Sequence, residues 1–203
     1  MKTVPFCHLH LHTEYSLLDS ACKVPEIMKT AQGLGQDYVA ITDHGNLYGI
    51  IDFYKQAMKN GIKPIIGCEV YLARKGIDNR DGGQSDNMHL VLLAENNTGY
   101  ENLIKLVSIA HLEGFHYKPR IDKALLREYS GGLIGLSSCL KGEFTEACAE
   151  GAVEKAVELA NEYAEILGKD NFFIELQDHG MPEQTQANQY AVEVSKLTQL
   201  PLV

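Results

Sequence analysis

Near the N-terminus, Phe6-Cys7-His8-Leu9-His10-Leu11-His12 runs directly into Thr13-Glu14-Tyr15-Ser16-Leu17-Leu18-Asp19. Alternate residues of a strand point to opposite faces, so a strand here would put Phe6, His8, His10 and His12 on one side and Cys7, Leu9 and Leu11 on the other. Each buried imidazole needs partners for both ring nitrogens, and a divalent metal satisfies several imidazoles at once. Imidazole combined with carboxylate suits zinc, manganese or iron, and His-x-His sets two ring nitrogens on one face about 7 Å apart along a strand. Alone, the alternation is also what any half-exposed strand shows. Further ligand types lie downstream: His44 in Asp43-His44-Gly45-Asn46, Glu69 in Gly67-Cys68-Glu69-Val70, His89 in Met88-His89-Leu90, and Cys139 after Ser137-Ser138.

Residues this far apart meet only if regular elements carry them. Val24, Ile27, Met28, Ala31 and Leu34 recur at helical spacing from Pro25 until Gly33 and Gly35, and residues 37–42 read as a buried strand. A second amphipathic helix over 47–60 and a strand over 63–72 complete the alternation of an α/β fold with a parallel sheet. Residues 74–87 are polar and glycine-rich (Gly76, Gly82, Gly83), either rimming a site or simply solvated. Strands follow at 88–94, 132–136 and 172–176, and helices at 98–111, 121–129, 152–167 and 182–198, the last with Pro182 in its first turn. In such folds the C-terminal ends of strands share one rim. His10, His12, His44, Glu69 and Cys139 occupy such ends, whereas His89 opens its apolar run and by this rule belongs at the other end. The sequence stops at Leu200-Pro201-Leu202-Val203, which reads as the opening of another buried strand, so a fragment is expected.

Composition narrows the chemistry. The 203 residues, 45% of them apolar, suit one domain, and a formal charge of −9 lacks the basic face of a general nucleic-acid binder. Phosphate handling would therefore draw on metal cations. The odd set of five cysteines contains no Cys-x-x-Cys, and no charged-then-apolar leader is visible, which points to a reduced cytosol. No apolar run approaches the roughly 18 residues that a membrane span requires. Neither Gly-x-x-x-x-Gly-Lys-Ser/Thr nor Gly-x-Gly-x-x-Gly occurs, and Gly135-Leu136-Ser137-Ser138 lacks the closing glycine of a nucleophile elbow. Two divalent cations about 3.5–4 Å apart, bridged by a carboxylate such as Glu69, would activate a water and hydrolyse a phosphate ester.

Five stretches together resemble a known family: His8-Leu9-His10-Leu11-His12-Thr13-Glu14-Tyr15-Ser16-Leu17-Leu18-Asp19, Ala40-Ile41-Thr42-Asp43-His44-Gly45, Pro64-Ile65-Ile66-Gly67-Cys68-Glu69-Val70-Tyr71, His89-Leu90-Val91-Leu92-Leu93-Ala94 with Thr98-Gly99-Tyr100, and Lys118-Pro119-Arg120-Ile121-Asp122. The chain is similar over essentially its whole length to the polymerase and histidinol phosphatase (PHP) domain, in the version at the N-terminus of the alpha subunit of bacterial DNA polymerase III. The resemblance implies a distorted seven-stranded β/α barrel, TIM-like, here truncated before its last strand, with residues 1–203 as a domain fragment. It implies up to three metal ions, zinc or manganese: His10 and His12 on one, Glu69 bridging two, His89 and Cys139 on the second, Asp19 and His44 on the third. Glu69, His10 and His12 would form the catalytic group, and His8 would not be a ligand. His179 and Lys118 or Arg120 would reach phosphate at the rim. The family's closing Asp-x-His motif is missing, which would leave the first and third metals each one ligand short.

The activity implied is a metal-dependent phosphoesterase, a 3′–5′ exonuclease acting on a single-stranded DNA 3′ end within a cytoplasmic replicative polymerase. A second implied role is a scaffold with an inactive metal site, docking a proofreading subunit, the rest of the alpha subunit and other replisome subunits. A third is a small-molecule phosphatase of the histidinol phosphate type. Nucleotidyl transfer itself would lie outside these residues.

Overall fold

Proline has no amide hydrogen to leave unpaired in a helix's first turn, and the first helix, α1 (Val24–Gly33), carries Pro25 there and buries Val24, Ile27, Met28 and Ala31. The computed structural model describes residues 6–81, 83 and 87–203. Beyond α1 they form β1 (Tyr38–Ile41), α2 (Ile50–Lys59), β2 (Lys63–Ala73), β3 (Asn87–Ala94), α3 (Asn97–Leu112), β4 (Arg120–Ile121), α4 (Lys123–Glu128), β5 (Leu133–Leu136), α5 (Glu143–Ala149), α6 (Val153–Leu167), β6 (Phe172–Phe173) and α7 (Pro182–Thr198). This is a mixed α/β fold.

The sheet runs β1-β2-β3-β5-β6, and β4 pairs with the far end of β2. β1 and β4 run parallel to β2, and β6 runs parallel to β5. The expectation of an all-parallel sheet is corrected at β3, which is antiparallel to both β2 and β5. A parallel crossover needs a helix's worth of chain, and the polar segment between β2 and β3 contains no helix among its described residues, so the chain turns back on itself. Gly82 and residues 84–86 of that segment lie outside the described residues.

Six strands are formed by the described residues, and their sheet does not close into a barrel. Both margins are extended by irregular chain. Residues 8–11 lie beside β1, where the Ala40 and Thr42 amides each donate over 2.9 Å to the carbonyls of His8 and Leu11. Residues 201–203 lie beside the continuation of β6, where Ile174 donates to Pro201 and Leu176 to Val203. A groove of about 330 Å³, lined by Phe6, His8, His10, Glu175 and Val203 among others, separates these margins.

The strand expected at residues 6–12 is therefore corrected as well. Between the bonds to His8 and Leu11 one residue, Ile41, faces two of the N-terminal segment, Leu9 and His10, which form a bend. One extra residue reverses the alternation, so His8 is exposed while His10 and His12 turn inward.

Apolar residues sort onto two faces. The helices cover one face through a large cluster that includes Cys68, Val70, Leu72, Leu90 and Leu92. A second cluster joins α1 and α2 to β1 through Val24, Met28, Val39, Ile41 and Phe53. The other face is concave and has a small floor of Ala40, Val91, Leu93 and Leu136, with Leu9 and Phe173 packed against it. The chemistry sits above that floor.

Close backbone approach fixes α3 against β5. Asn96 caps the helix, accepting from the Gly99 amide at 3.1 Å, and a Cβ on Gly99 would lie 1.7 Å from the Gly132 carbonyl oxygen. Since neither backbone has a side chain that could yield, Gly99→Ala is expected to cost about 2–3 kcal/mol and lower the melting temperature by about 4–12 °C. Thermal denaturation of the variant beside the parent chain checks this, and an unchanged melting temperature would contradict the contact.

Candidate metal centre

Glu69 sits near the middle of β2 on the concave face and is only 1% exposed. Its carboxylate is the hub of the site. Oε1 lies 3.3 Å from His10 Nε2, 3.2 Å from His89 Nδ1 and 3.8 Å from Cys139 Sγ, and accepts from Ser138 Oγ at 2.5 Å. Oε2 lies 3.3 Å from His12 Nε2 and 2.9 Å from His44 Nδ1. The imidazoles also contact one another: His12 and His44 stack at 4.2 Å, and His44 meets His89 edge-on at 5.1 Å.

Each ligand arrives for a local reason. His44 follows β1, and its bridge to Glu69 continues the parallel pairing of β1 with β2. His89 stands directly opposite Tyr71 in the β2–β3 register. Because β3 runs the other way, its first residues lie at the end of the sheet where its neighbours finish, which is how a histidine that opens its apolar run reaches the rim. Cys139 follows β5, with Ser138 in a left-handed backbone conformation (φ 66°) that directs its hydroxyl to Glu69. His10 and His12 come from the bent N-terminal segment.

A buried carboxylate secures that segment. Asp43, 1% exposed, accepts from the Thr13 amide at 2.6 Å, from Thr13 Oγ1 at 2.8 Å and from Ser16 Oγ at 2.8 Å, while the His44 amide donates to Ser16 Oγ at 3.0 Å. The loop carrying His12 and the loop carrying His44 are thus tied by one side chain.

Behind His10 lies a second carboxylate. Glu175 Oε1 is 2.8 Å from His10 Nδ1 and accepts from Gln177 Nε2 at 2.6 Å, and the Glu175 amide donates to Ser137 Oγ at 2.9 Å. A carboxylate on the rear nitrogen of an imidazole orients the ring and makes its front nitrogen a better ligand. Burial alone would lower the His10 pKa, but hydrogen bonds to Glu175 and Glu69 push it up to about 10. Burial likewise works against the charge of Glu69, yet the four imidazoles hold its carboxyl well below the usual range. Burial, reinforced by the charge on Glu69, pushes the Cys139 thiol up to about 11.

This donor set fits divalent cations. Two groups, His10 with His12 and Glu69, and His44 with Glu69 and His89, each have ligand atoms within 4.8 Å of one another, and Glu69 belongs to both. His44 Nδ1 and Glu69 Oε2 lie 2.9 Å apart in a buried place, and among the described residues neither has a hydrogen-bond partner of good geometry. A ring nitrogen and a carboxylate oxygen this close in a buried place are costly unless a proton or a metal cation lies between or beside them. The mixture of nitrogen, oxygen and thiol donors suits zinc and related transition metals better than calcium or magnesium.

The remaining residues singled out in the sequence divide. Asp19 is exposed and lines the lip of the cleft with His44 and His89. Lys118 reaches the same cleft, its Nζ 5.3 Å from the centre of the Tyr71 ring, which stacks on His44. Arg120 does not reach it and is corrected as a phosphate contact: it is 5% exposed, and its guanidinium donates to the carbonyls of Gly114, Asn79 and Ile77. His179 lies on the groove between the sheet margins, with its ring 2.9 Å from Gln184 at the start of α7. Sequence reasoning missed Asp43, Glu175, Gln177 and Ser138 as parts of the site. A carboxylate inside Ile174-Glu175-Leu176 was the one local signal available.

Comparison with known proteins gives a consistent answer. A family model for the PHP domain matches residues 8–179. DNA polymerase III subunit alpha of Treponema pallidum is 43% identical over 205 residues, covering 100% of this chain and 18% of that subunit. The same subunit of Borreliella burgdorferi is 45% identical over 97% of this chain and 17% of its own length, and that of Thermus aquaticus 45% over 98% and 17%. The chain thus spans less than a fifth of these curated relatives. A solved structure from Bifidobacterium adolescentis, of a protein assigned as a metal-dependent phosphoesterase, shares the fold with a TM-score of 0.62 at 12% identity, over 98% of this chain and 86% of that one. With a family match over most of its length, the chain belongs to the PHP domain family.

Proposed function

We propose that this chain is the PHP domain of a bacterial, cytoplasmic DNA polymerase III alpha subunit, and that its cleft hydrolyses phosphodiesters at the 3′ end of a single DNA strand. The curated relatives support the polymerase setting. One observation carries the chemistry: four imidazoles and a thiol converge on one buried carboxylate whose Oε2 has, among the described residues, no hydrogen-bond partner of good geometry. In this reading His10, His12, His44, Glu69, His89 and Cys139 hold divalent zinc or manganese, Asp19 contributes from the lip, and Glu69 bridges. Bound there, the cations would polarise the phosphoryl group and supply a water acidic enough to attack near neutral pH. The chain's own part is to orient. Glu175 fixes the His10 ring, Asp43 fixes the loops of His12 and His44, and Ser138 holds the Glu69 carboxylate. The unclosed sheet, with irregular chain along both margins, fits a distorted barrel.

Metal-loaded protein is expected to release nucleotides from a 3′-labelled single strand and to leave histidinol phosphate largely untouched. If the loaded chain hydrolyses neither, the scaffold role takes its place. Metal removal has its own readout. Cations at about a thousand times their dissociation constant stabilise the fold that binds them by about 4 kcal/mol, so a chelator is expected to lower the melting temperature by about 8–16 °C. A melting temperature indifferent to chelator would sink the metal centre.

A further inference from the structure

The cleft beside the metal centre contains a donor that nothing in the site uses. Asn87 is 6% exposed, its Nδ2 is buried with no hydrogen-bond partner among the described residues, and the residue lines a cavity of about 330 Å³ together with His44, His89, Lys118 and Lys141. A buried amide nitrogen left unpaired costs about 1–3 kcal/mol, so a small rotation that turned it to an acceptor in the adjoining cavity would be favoured. Asn87 and His89 are two residues apart on β3 and share a face, which sets the amide about 7 Å along the strand from the candidate ligand. That is on the scale of one nucleotide step.

Two cations flank the same space. The Lys141 carbonyl accepts from the His89 amide at 2.9 Å, which anchors the base of that lysine beside the centre. Lys118 stands on the other wall, over Tyr71. Of the acidic groups on the lining, Glu146 is ion-paired with Arg74, and the exposed Asp19 stands at the lip. An amide donor and two ammonium groups around one cavity make an anion site in a chain whose net charge is −9.

We propose that Asn87, Lys118 and Lys141 form a subsite for a phosphodiester of a nucleic-acid strand, one nucleotide away from the phosphate held at the metal centre. This inference rests on the phosphodiester reading given above and deepens it. A single-phosphate metabolite fills only the metal centre, whereas a strand engages both places, so the subsite selects polymeric substrate. Lys141 reads charge alone, while Asn87, placed by the sheet, sets the register.

The test is equilibrium binding. Fluorescence anisotropy of a 5′-labelled oligothymidylate, with phosphorothioate linkages at its 3′ end to keep it intact, is measured with manganese-loaded protein over a range of salt. Lys141→Ala and Asn87→Asp are expected to weaken binding about tenfold, and Lys141→Ala to reduce the salt slope by about 0.7, one phosphate contact on a single strand. Lys155→Ala, an exposed lysine paired with Glu158 on α6, serves as the control for general charge and is expected to bind like the parent. Asn87 is buried, so melting temperatures accompany each variant; if Asn87→Asp unfolds, the exposed Lys141 decides the matter. Parental binding by both variants, an equal loss with Lys155→Ala, or no binding by the parent chain overturns the subsite. So does inorganic phosphate that binds with the same Lys141 dependence and as tightly as the strand. Binding that depends on Lys141 and Asn87 in a chain without hydrolytic activity keeps the subsite and sinks the phosphoesterase reading alone.

Discussion

Glu69→Ala abolishes metal-dependent hydrolysis of a 3′-labelled strand, with an expected loss of at least about a thousandfold, because the one carboxylate common to both candidate cation groups disappears. The effect is larger than removal of any single histidine, which leaves one of the two groups intact. Metal content per chain falls with it, and so does the chelator-sensitive part of the melting temperature. The metal-free fold suffers less. Without Glu69 the imidazoles of His10, His12, His44 and His89 lose a shared counter-charge, but His10 retains Glu175 behind it. Glu69→Gln separates shape from charge: it keeps the volume and a carbonyl oxygen for Ser138 and still loses metal. Rates of nucleotide release, metal per chain and melting curves with and without chelator measure all three effects. Equal rates for the parent chain and Glu69→Ala would remove the enzymatic reading.

How much of this the sequence discloses depends on whether a feature is local. Helices α1, α2, α6 and α7 announce themselves through apolar spacing with Pro or Gly at their ends, and the spans expected for them lie within three residues of those observed. The seven-residue α5 is too short to establish a period and gives no such signal. His44 and Cys139, just past the ends of β1 and β5, need only the rim rule to be grouped, whereas Glu69 lies near the middle of β2 and not at the strand end expected for it. His89 needs the direction of β3, a non-local property. The missing helix between β2 and β3 was a usable sign of that direction, since parallel neighbours require a longer crossover.

Polar side chains are harder because their destinations are set by tertiary contacts. Arg120 sits in a cationic loop motif, yet three main-chain carbonyls from residues 77, 79 and 114 claim its guanidinium, and no spacing rule reveals that. Glu175 reads as one polar residue in an apolar strand. Its value to the site comes from facing His10 across the groove between the sheet margins, 165 positions away in sequence. The parity of the first segment fails for a similar reason: the extra residue between His8 and Leu11 is visible only in its pairing with β1.

Asp43 is where stability and site geometry depend on the same atoms, so Asp43→Ala is expected to damage both. Its carboxylate takes three hydrogen bonds, from the Thr13 amide, Thr13 Oγ1 and Ser16 Oγ, and Thr13 and Ser16 are themselves 0% and 1% exposed. Truncation to Ala leaves those donors buried without an acceptor, at about 1–3 kcal/mol each, so a total loss of about 3–5 kcal/mol is expected after partial relaxation. For a chain of this size that is a fall of about 6–20 °C in melting temperature. The same cut frees the loop that carries His12 from the loop that carries His44, whose rings stack at 4.2 Å and both approach Glu69 Oε2. Metal content should therefore drop although no ligand has been touched. Asp43→Asn distinguishes the two effects. Its carbonyl oxygen accepts one or two of the three bonds, which recovers part of the stability, but its amide presents hydrogens to donors and cannot close the set. Metal affinity measured well below the melting temperature of each variant then reports loop placement alone. Parental affinity in a folded Asp43→Ala would show that His12 and His44 hold their positions without this tie.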